Sequence, residues 1–265
     1  MSPYVLPVVY ALFFWWFSTG VIIYLDGLAR STFKWTMAGA TGLLVAALGG
    51  LVASSDDTSV TGAYLAFSCG LLVWAWQEVA FLLGYVTGPR RIPCPKDVTG
   101  WRRAGFALQA LLHHEMALIM LGLAVTLATW DGDNRTGLWT YMILWVMRQS
   151  AKINVFLGVR NLNEQFLPVH LSYLHSYFTR RSMNGFFPVC IVISTLCTVW
   201  LWQAALSDGQ TAAQQTALTF AAALLSLAVI EHWFLVVPLR FEVLWQWGMR
   251  SRVGRDAKQL GPKAL

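Results

Sequence analysis

Ionisable side chains stand inside several apolar stretches of this sequence, where they could form ion pairs or bind a metal. Three stretches carry an acid, alone or beside histidine: Glu78, His113-His114-Glu115 and Glu231-His232. A fourth carries Arg148 and Lys152, which are four residues apart and therefore share one face of a helix. Charged groups are costly in hydrocarbon unless they have partners. We therefore expect these groups to meet in one polar layer.

The predicted polar layer also includes Asn154, from the end of the fourth stretch, and Glu164, from the polar segment after it. Its members are Glu78, His114, Glu115, Arg148, Lys152, Asn154, Glu164 and Glu231. A helical rise of about 1.5 Å per residue puts the charges of the apolar stretches at overlapping depths in a bilayer core about 30 Å thick. A shared network lowers the cost of burying them, so the favoured interpretation is a packing network that fixes helix register.

The carboxylates and imidazoles are also candidate metal ligands. The set is Glu78, His113, His114, Glu115, Glu164, His170, His175, Glu231 and His232. Such ligands suit zinc or iron. A dinuclear iron site in a helical bundle uses Glu-x-x-His steps, which this sequence lacks. His114-Glu115 and Glu231-His232 are instead direct neighbours, and adjacent residues point about 100° apart on a helix.

Pigment ligation is a further alternative. The sequence contains no motif for nucleophilic catalysis, phosphate binding or a cysteine-based zinc site. A histidine in a membrane helix can ligate a haem iron or the magnesium of a chlorophyll, and His113, His114 and His232 are candidates. No Gly-x-Ser-x-Gly nucleophile motif or Gly-rich phosphate loop is present. The four cysteines form no CxxC pair, so neither a zinc ribbon nor a disulfide framework is predicted.

The composition is that of a polytopic membrane protein. Hydrophobic residues make up 57% of the chain and charged residues 12%, against about 25% charged in soluble domains. Seven segments have the length and apolarity of membrane spans: about 3–25, 36–53, 61–86, 104–129, 137–159, 186–206 and 213–237. We predict an all-α transmembrane bundle of about seven spans, with residues 1–265 forming a single integral membrane domain.

Basic residues predict the orientation of that bundle. Sixteen of the nineteen Lys and Arg fall in alternate connections and the C-terminal tail, and the opposite side has only Arg135. The positive-inside rule then places the N-terminus outside and the C-terminus in the cytoplasm. Residues 160–185 become a polar cytoplasmic segment, with 169–179 as a candidate interfacial helix, and 239–265 become a basic cytoplasmic tail. The positive charge faces lipid headgroups, so nucleic acid is not an expected partner.

One long motif resembles a known family. Residues 149–164 read Gln-Ser-Ala-Lys-Ile-Asn-Val-Phe-Leu-Gly-Val-Arg-Asn-Leu-Asn-Glu, and Phe-Leu-Pro-Val-His-Leu follows from Phe166. Together with the segment from Arg180 to Pro188, the chain length and the Trp-rich opening, this motif resembles PuhE. That is the family of photosynthetic complex assembly proteins of purple and related anoxygenic phototrophic bacteria. The resemblance supplies no established catalytic residues.

The resemblance implies a non-enzymatic assembly factor for the reaction centre and light-harvesting complexes, acting near bacteriochlorophyll supply or insertion. The expected location is the bacterial inner (intracytoplasmic) membrane. The expected partners are photosynthetic pigment-protein subunits or pigment-synthesis enzymes. Two alternatives stay open. One is an iron-dependent membrane oxidase or hydroxylase of a tetrapyrrole or isoprenoid, using the Glu/His set, and the other is a carrier that binds bacteriochlorophyll.

Overall fold

The computed structural model describes residues 4–252, and these fold into an all-helical structure. Helix accounts for 76% of it, and the described residues contain no β-strand. Seven long α-helices, here α1 to α7, follow one another: Val5–Asp26, Phe33–Ala53, Val60–Leu82, Gly100–Ala128, Thr136–Leu157, Phe186–Leu206 and Ala212–Phe234. The predicted all-α class is confirmed.

Six helical stretches are long and apolar enough to cross a membrane, which is the architecture of a multi-pass membrane protein. They are α1, Arg30–Ala53 with α2, and then α3, α4, α6 and α7. Helix α5 is as long as α1, at 22 residues, but Arg148, Gln149, Lys152 and Asn154 make it less apolar than the other six. The residues that predict the polar layer are therefore also the ones that lower the apolarity of α5.

Local sequence explains several helix boundaries. Ser59 caps α3 by accepting a hydrogen bond from the Gly62 amide, and Thr211 forms a capping box with Gln214 at the start of α7. Gly158 follows α5 with a φ of 128°, which an L-residue rarely adopts, so α5 ends at Leu157.

Helices α3 and α7 form the interior of the bundle. In their most apolar windows 56% and 50% of the residues are buried, against 11–17% in α1, α2 and α6. Helix α3 packs against α1, α2, α4, α5 and α7. The rings of Phe67 and Phe220 stack with their centroids 4.1 Å apart. The outer helices thus present apolar faces outward, as expected for helices in a membrane.

The connection between α5 and α6 folds back onto the end of α3. It contains a 3-10 helix, Val169–Tyr177, where the sequence predicts an interfacial helix at 169–179. Leu171, Leu174 and Tyr177 of this helix are buried in one cluster with Phe81 of α3 and Ala110 of α4. The Tyr177 hydroxyl donates to the carbonyl of Ile92 in the connection between α3 and α4. The two long connections therefore form one packed layer at this end of the bundle.

The C-terminal segment, residues 241–252, packs along α1. Trp16 Nε1 donates to the Leu244 carbonyl, and Trp245 Nε1 donates back to the Trp16 carbonyl, both over 2.9 Å. Arg252 binds both carboxylate oxygens of the buried Asp26 over 2.7 and 2.8 Å. The basic tail predicted for 239–265 is thus docked against the bundle up to residue 252, and its remaining residues lie outside the described part of the chain.

Candidate functional site

An ion pair joins α4 to α5. Lys152 Nζ donates to Glu115 Oε1 over 2.7 Å, and Gln149 Nε2 donates to Glu115 Oε2 over 2.6 Å. The side chains of Lys152 and Glu115 are only 21% and 19% exposed. Gln149 and Lys152 are three residues apart on α5, so one helix face supplies a donor to each oxygen. The contact joins α4 to α5 through both oxygens of one carboxylate.

A second ion pair joins α3 to α5. Arg148 Nη2 donates to Glu78 Oε2 over 2.8 Å, and Gln77 Nε2 donates to Glu78 Oε1 over 3.1 Å. The Glu78 side chain is 12% exposed, whereas 42% of the Arg148 side chain is exposed. The pair therefore combines a buried acid with a cation that remains open on one side.

The acid and histidine at the end of α7 contact two other helices. Trp15 Nε1 of α1 donates to Glu231 Oε1 over 2.8 Å. The neighbouring His232 is buried, with its ring nitrogens 2.9 Å from Ser150 Oγ of α5 and 2.8 Å from the Ala228 carbonyl. The two side chains point to different helices, as the angle between adjacent helical residues requires.

The ionic contacts lie close enough to form one electrostatic group. Glu231 interacts electrostatically with Arg148 and Glu78, and so does Lys152. Three acids and two bases from α3, α4, α5 and α7 thus share one region. Glu231 and Arg148 are exposed at the helix surface, where the sequence predicts burial, because their pairing partners cover only part of each side chain.

Two further members of the predicted layer are buried beside these ion pairs. His114 packs against the Phe81 ring with 4.5 Å between centroids, and its Nδ1 has no hydrogen-bond partner among the described residues. Asn154 Oδ1 accepts a hydrogen bond from Asn184 Nδ2 over 3.0 Å. The Asn184 side-chain oxygen in turn accepts from the amides of Phe186 and Phe187, which caps α6.

The remaining predicted residues lie elsewhere. Glu164 pairs with Arg180 over 3.3 Å within the connection between α5 and α6. His170 and His175 belong to the 3-10 helix of that connection, where His170 Nε2 lies 2.9 Å from the Leu82 carbonyl. His113 is exposed on α4.

The predicted metal ligands are not gathered at one point. Within residues 4–252, no group of three or more His, Cys, Asp and Glu side chains is placed to hold a metal ion. The physical reason is visible in the contacts. Glu78 and Glu115 each face a cation, Glu231 faces an indole, and the neighbouring histidines turn to other helices.

Sequence reasoning missed several contributors to the layer. Trp15, Gln77 and Ser150 supply hydrogen bonds to predicted residues, but each is an ordinary residue of an apolar helix before its neighbours are known. Asn184 could have been recognised from the sequence, since an Asn shortly before an apolar run with Pro188 in its first turn is typical of a helix N-cap.

Apolar outer faces and ion pairs between helices define a class: a multi-pass helical membrane protein whose helices are joined by ion pairs. The chain belongs to a family of unknown function, DUF3623, whose family model matches residues 1–256. It is also similar to a Rhodobacter capsulatus protein described as an uncharacterized 30.4 kDa protein in the puhA 5′ region. The two are 40% identical over 245 residues, which cover 91% of this chain and 89% of the relative. No solved structure matches the chain.

Proposed function

We propose that this protein is an integral membrane assembly factor for the bacterial photosynthetic apparatus. The observation that carries the proposal is the Rhodobacter capsulatus relative, whose gene lies in the puhA photosynthesis gene region. The motif of residues 149–164, which resembles PuhE, supports the same role. The protein acts in the inner (intracytoplasmic) membrane, on pigment-protein subunits of the reaction centre and light-harvesting complexes or on enzymes that supply their bacteriochlorophyll.

The geometry supports a scaffold. Ion pairs join α3 and α4 to α5, and His232 of α7 contacts Ser150 of α5, so side-chain contacts connect these four helices. Helix α6 leaves a face of large apolar side chains exposed: Val189, Val192, Ile193, Leu196, Val199 and Trp200. Their spacing of three or four residues forms one stripe, which suits contact with a transmembrane helix of a partner subunit.

Deletion of the gene in its host tests this function. We expect the absorption bands of assembled reaction centre and light-harvesting complexes to fall in membranes, while bacteriochlorophyll keeps its normal chemical structure. A plasmid copy should restore the bands. Unchanged complexes under phototrophic growth would contradict the role, and accumulation of an altered pigment precursor would indicate an enzyme instead.

The topology proposed for this role has seven spans, with α5 as the additional one and the N-terminus outside. The packing of α5 against α3, α4 and α7 supports it, since α5 lies among helices that are apolar enough to cross the membrane. Alkaline phosphatase, which is active only outside the cytoplasm, can be fused after Pro95, Asp133 or Gly209. We expect activity after Asp133 and Gly209 and none after Pro95. An inactive Gly209 fusion beside an active Asp133 fusion would remove α5 from the spans.

A further inference from the structure

A cavity of about 510 Å³ opens at the end of the bundle where the two long connections pack. It lies between the α1–α2 connection, the chain after α3 and the 3-10 helix Val169–Tyr177. The residues that line it include no Asp or Glu, and its polar lining consists of Arg30, Tyr85, Thr87, Arg91, His170 and Tyr173. The cavity is therefore positively charged.

The two arginines of this cavity keep their charge unneutralised. Within residues 4–252 neither Arg30 nor Arg91 forms an ion pair with a carboxylate. Arg91 makes only a long hydrogen bond, 3.4 Å, to the Gly84 carbonyl. Each guanidinium carries five N–H donors in a planar fork, so most of the donors are available to a ligand.

Two hydroxyls beside the arginines are buried without hydrogen-bond partners. Thr87 is 1% exposed, and neither its Oγ1 nor the Tyr173 hydroxyl has a partner among the described residues. The two groups are close neighbours. A tyrosine phenol is protonated near neutral pH and can donate a hydrogen bond, and burial raises the pKa of Tyr173 further. Leaving buried hydroxyls unpaired is costly, and an acceptor in the cavity would remove that cost.

We propose that this cavity binds a phosphate group. The lining offers guanidinium and hydroxyl donors and no competing carboxylate, which is the donor set that recognises phosphate oxygens. Apolar walls from Phe33, Leu83 and Leu171 adjoin the donors, and these would accommodate the glycerol and upper acyl carbons of an anionic lipid. The phosphate is therefore that of a lipid headgroup at the membrane surface or of a soluble phosphate compound.

The full-length protein in neutral detergent allows both sources to be tested. In one arm, native mass spectrometry counts bound phosphatidylglycerol, with phosphatidylcholine as the comparison lipid. In the other, calorimetry measures binding of inorganic phosphate in the absence of lipid. The test variants are Arg91→Gln and Thr87→Val. The matched control is Arg102→Gln, because Arg102 is exposed in the same region of the chain but does not line the cavity.

We expect the wild-type protein and Arg102→Gln to bind equally and Arg91→Gln to bind about tenfold more weakly, which corresponds to the loss of a charge-assisted hydrogen bond. Loss in the lipid arm alone identifies a lipid headgroup, and loss in the phosphate arm identifies a soluble phosphate. Equal binding by wild type, Arg102→Gln and Arg91→Gln in both arms would overturn the proposal. Arg91 is exposed, so its variant keeps the test valid even if Thr87→Val fails to fold.

Discussion

The polar layer and the C-terminal segment hold helices together by different physics. In the layer, side chains of opposite charge meet between helices, as in the pairs Lys152–Glu115 and Arg148–Glu78. In the C-terminal segment, the indole of Trp16 donates to the main-chain carbonyl of Leu244, and the indole of Trp245 donates to the main-chain carbonyl of Trp16. Arg252 adds an ion pair to α1 there, with Asp26. The first region depends on charge complementarity and the second mainly on close fit.

This difference changes how each region responds to substitution. Removing one partner of a buried ion pair leaves an uncompensated charge, whereas removing both partners leaves an apolar gap that can be filled. A close-fitting interface responds instead to added volume, since packed surfaces have no free space. The two regions can therefore be told apart by which substitutions they tolerate.

The largest effect is expected from Lys152→Leu. The variant leaves the Glu115 carboxylate with one neutral donor, Gln149, in an apolar surrounding, and we expect unfolding to become easier by about 3–5 kcal/mol. The double variant Glu115→Leu/Lys152→Leu should regain most of that loss. Unfolding in mixed micelles with increasing dodecyl sulfate measures both. Equal stability of the single variant and wild type would show that the layer does not hold α4 to α5.

The next largest effect is expected in the C-terminal segment, from Gly248→Ala. A Cβ at Gly248 would lie 2.5 Å from the Gly20 carbonyl oxygen of α1, so the segment must move away. We expect a loss of about 1–3 kcal/mol and faster proteolysis between residues 238 and 252. The matched control is Gly39→Ala in α2, where an added Cβ meets nothing within 4 Å. Similar behaviour of the two variants would mean that the segment is not closely docked.

The charged helices and the C-terminal segment also differ in how much of their structure the sequence predicts. The helices were predictable because an apolar run of membrane length has few other uses, and a charge within such a run predicts a partner. The pairing itself was not, since nothing in the spacing of Arg148 and Lys152 says which acid each one meets. The docking of residues 241–252 onto α1 was not predictable either, because its contacts use main-chain carbonyls that every residue carries.

Helix ends show the same limit on a smaller scale. The sequence predicts the third span to residue 86, but α3 ends at Leu82, and Gly84 with a φ of 84° follows. Tyr85 and Val86 continue the apolar run past that turn, so hydropathy alone extends the helix too far. Glycine in a positive-φ turn is the local signal that marks the true end.

A smaller effect within the layer is expected from Arg148→Gln. Much of the Arg148 side chain is open to its surroundings, and a Gln can still donate one hydrogen bond toward Glu78. We therefore expect a loss of about 1 kcal/mol, below that of Lys152→Leu. The same dodecyl sulfate titration measures it. A loss as large as that of Lys152→Leu would show that side-chain exposure does not determine how much each of the two ion pairs contributes to stability.

The smallest effect is expected from Arg180→Gln, which removes an ion pair outside the layer. Arg180 and Glu164 are 65% and 40% exposed and 3.3 Å apart, so water already solvates both groups. Pairs of this kind contribute less than about 0.5 kcal/mol, and the titration should not separate this variant from the wild type. Glu164 was predicted to belong to the layer, so a loss approaching that of Arg148→Gln would place it functionally with the interior pairs. An unchanged midpoint would show that this pair, which joins two points of one connection, does not stabilise the fold as the pairs between helices do.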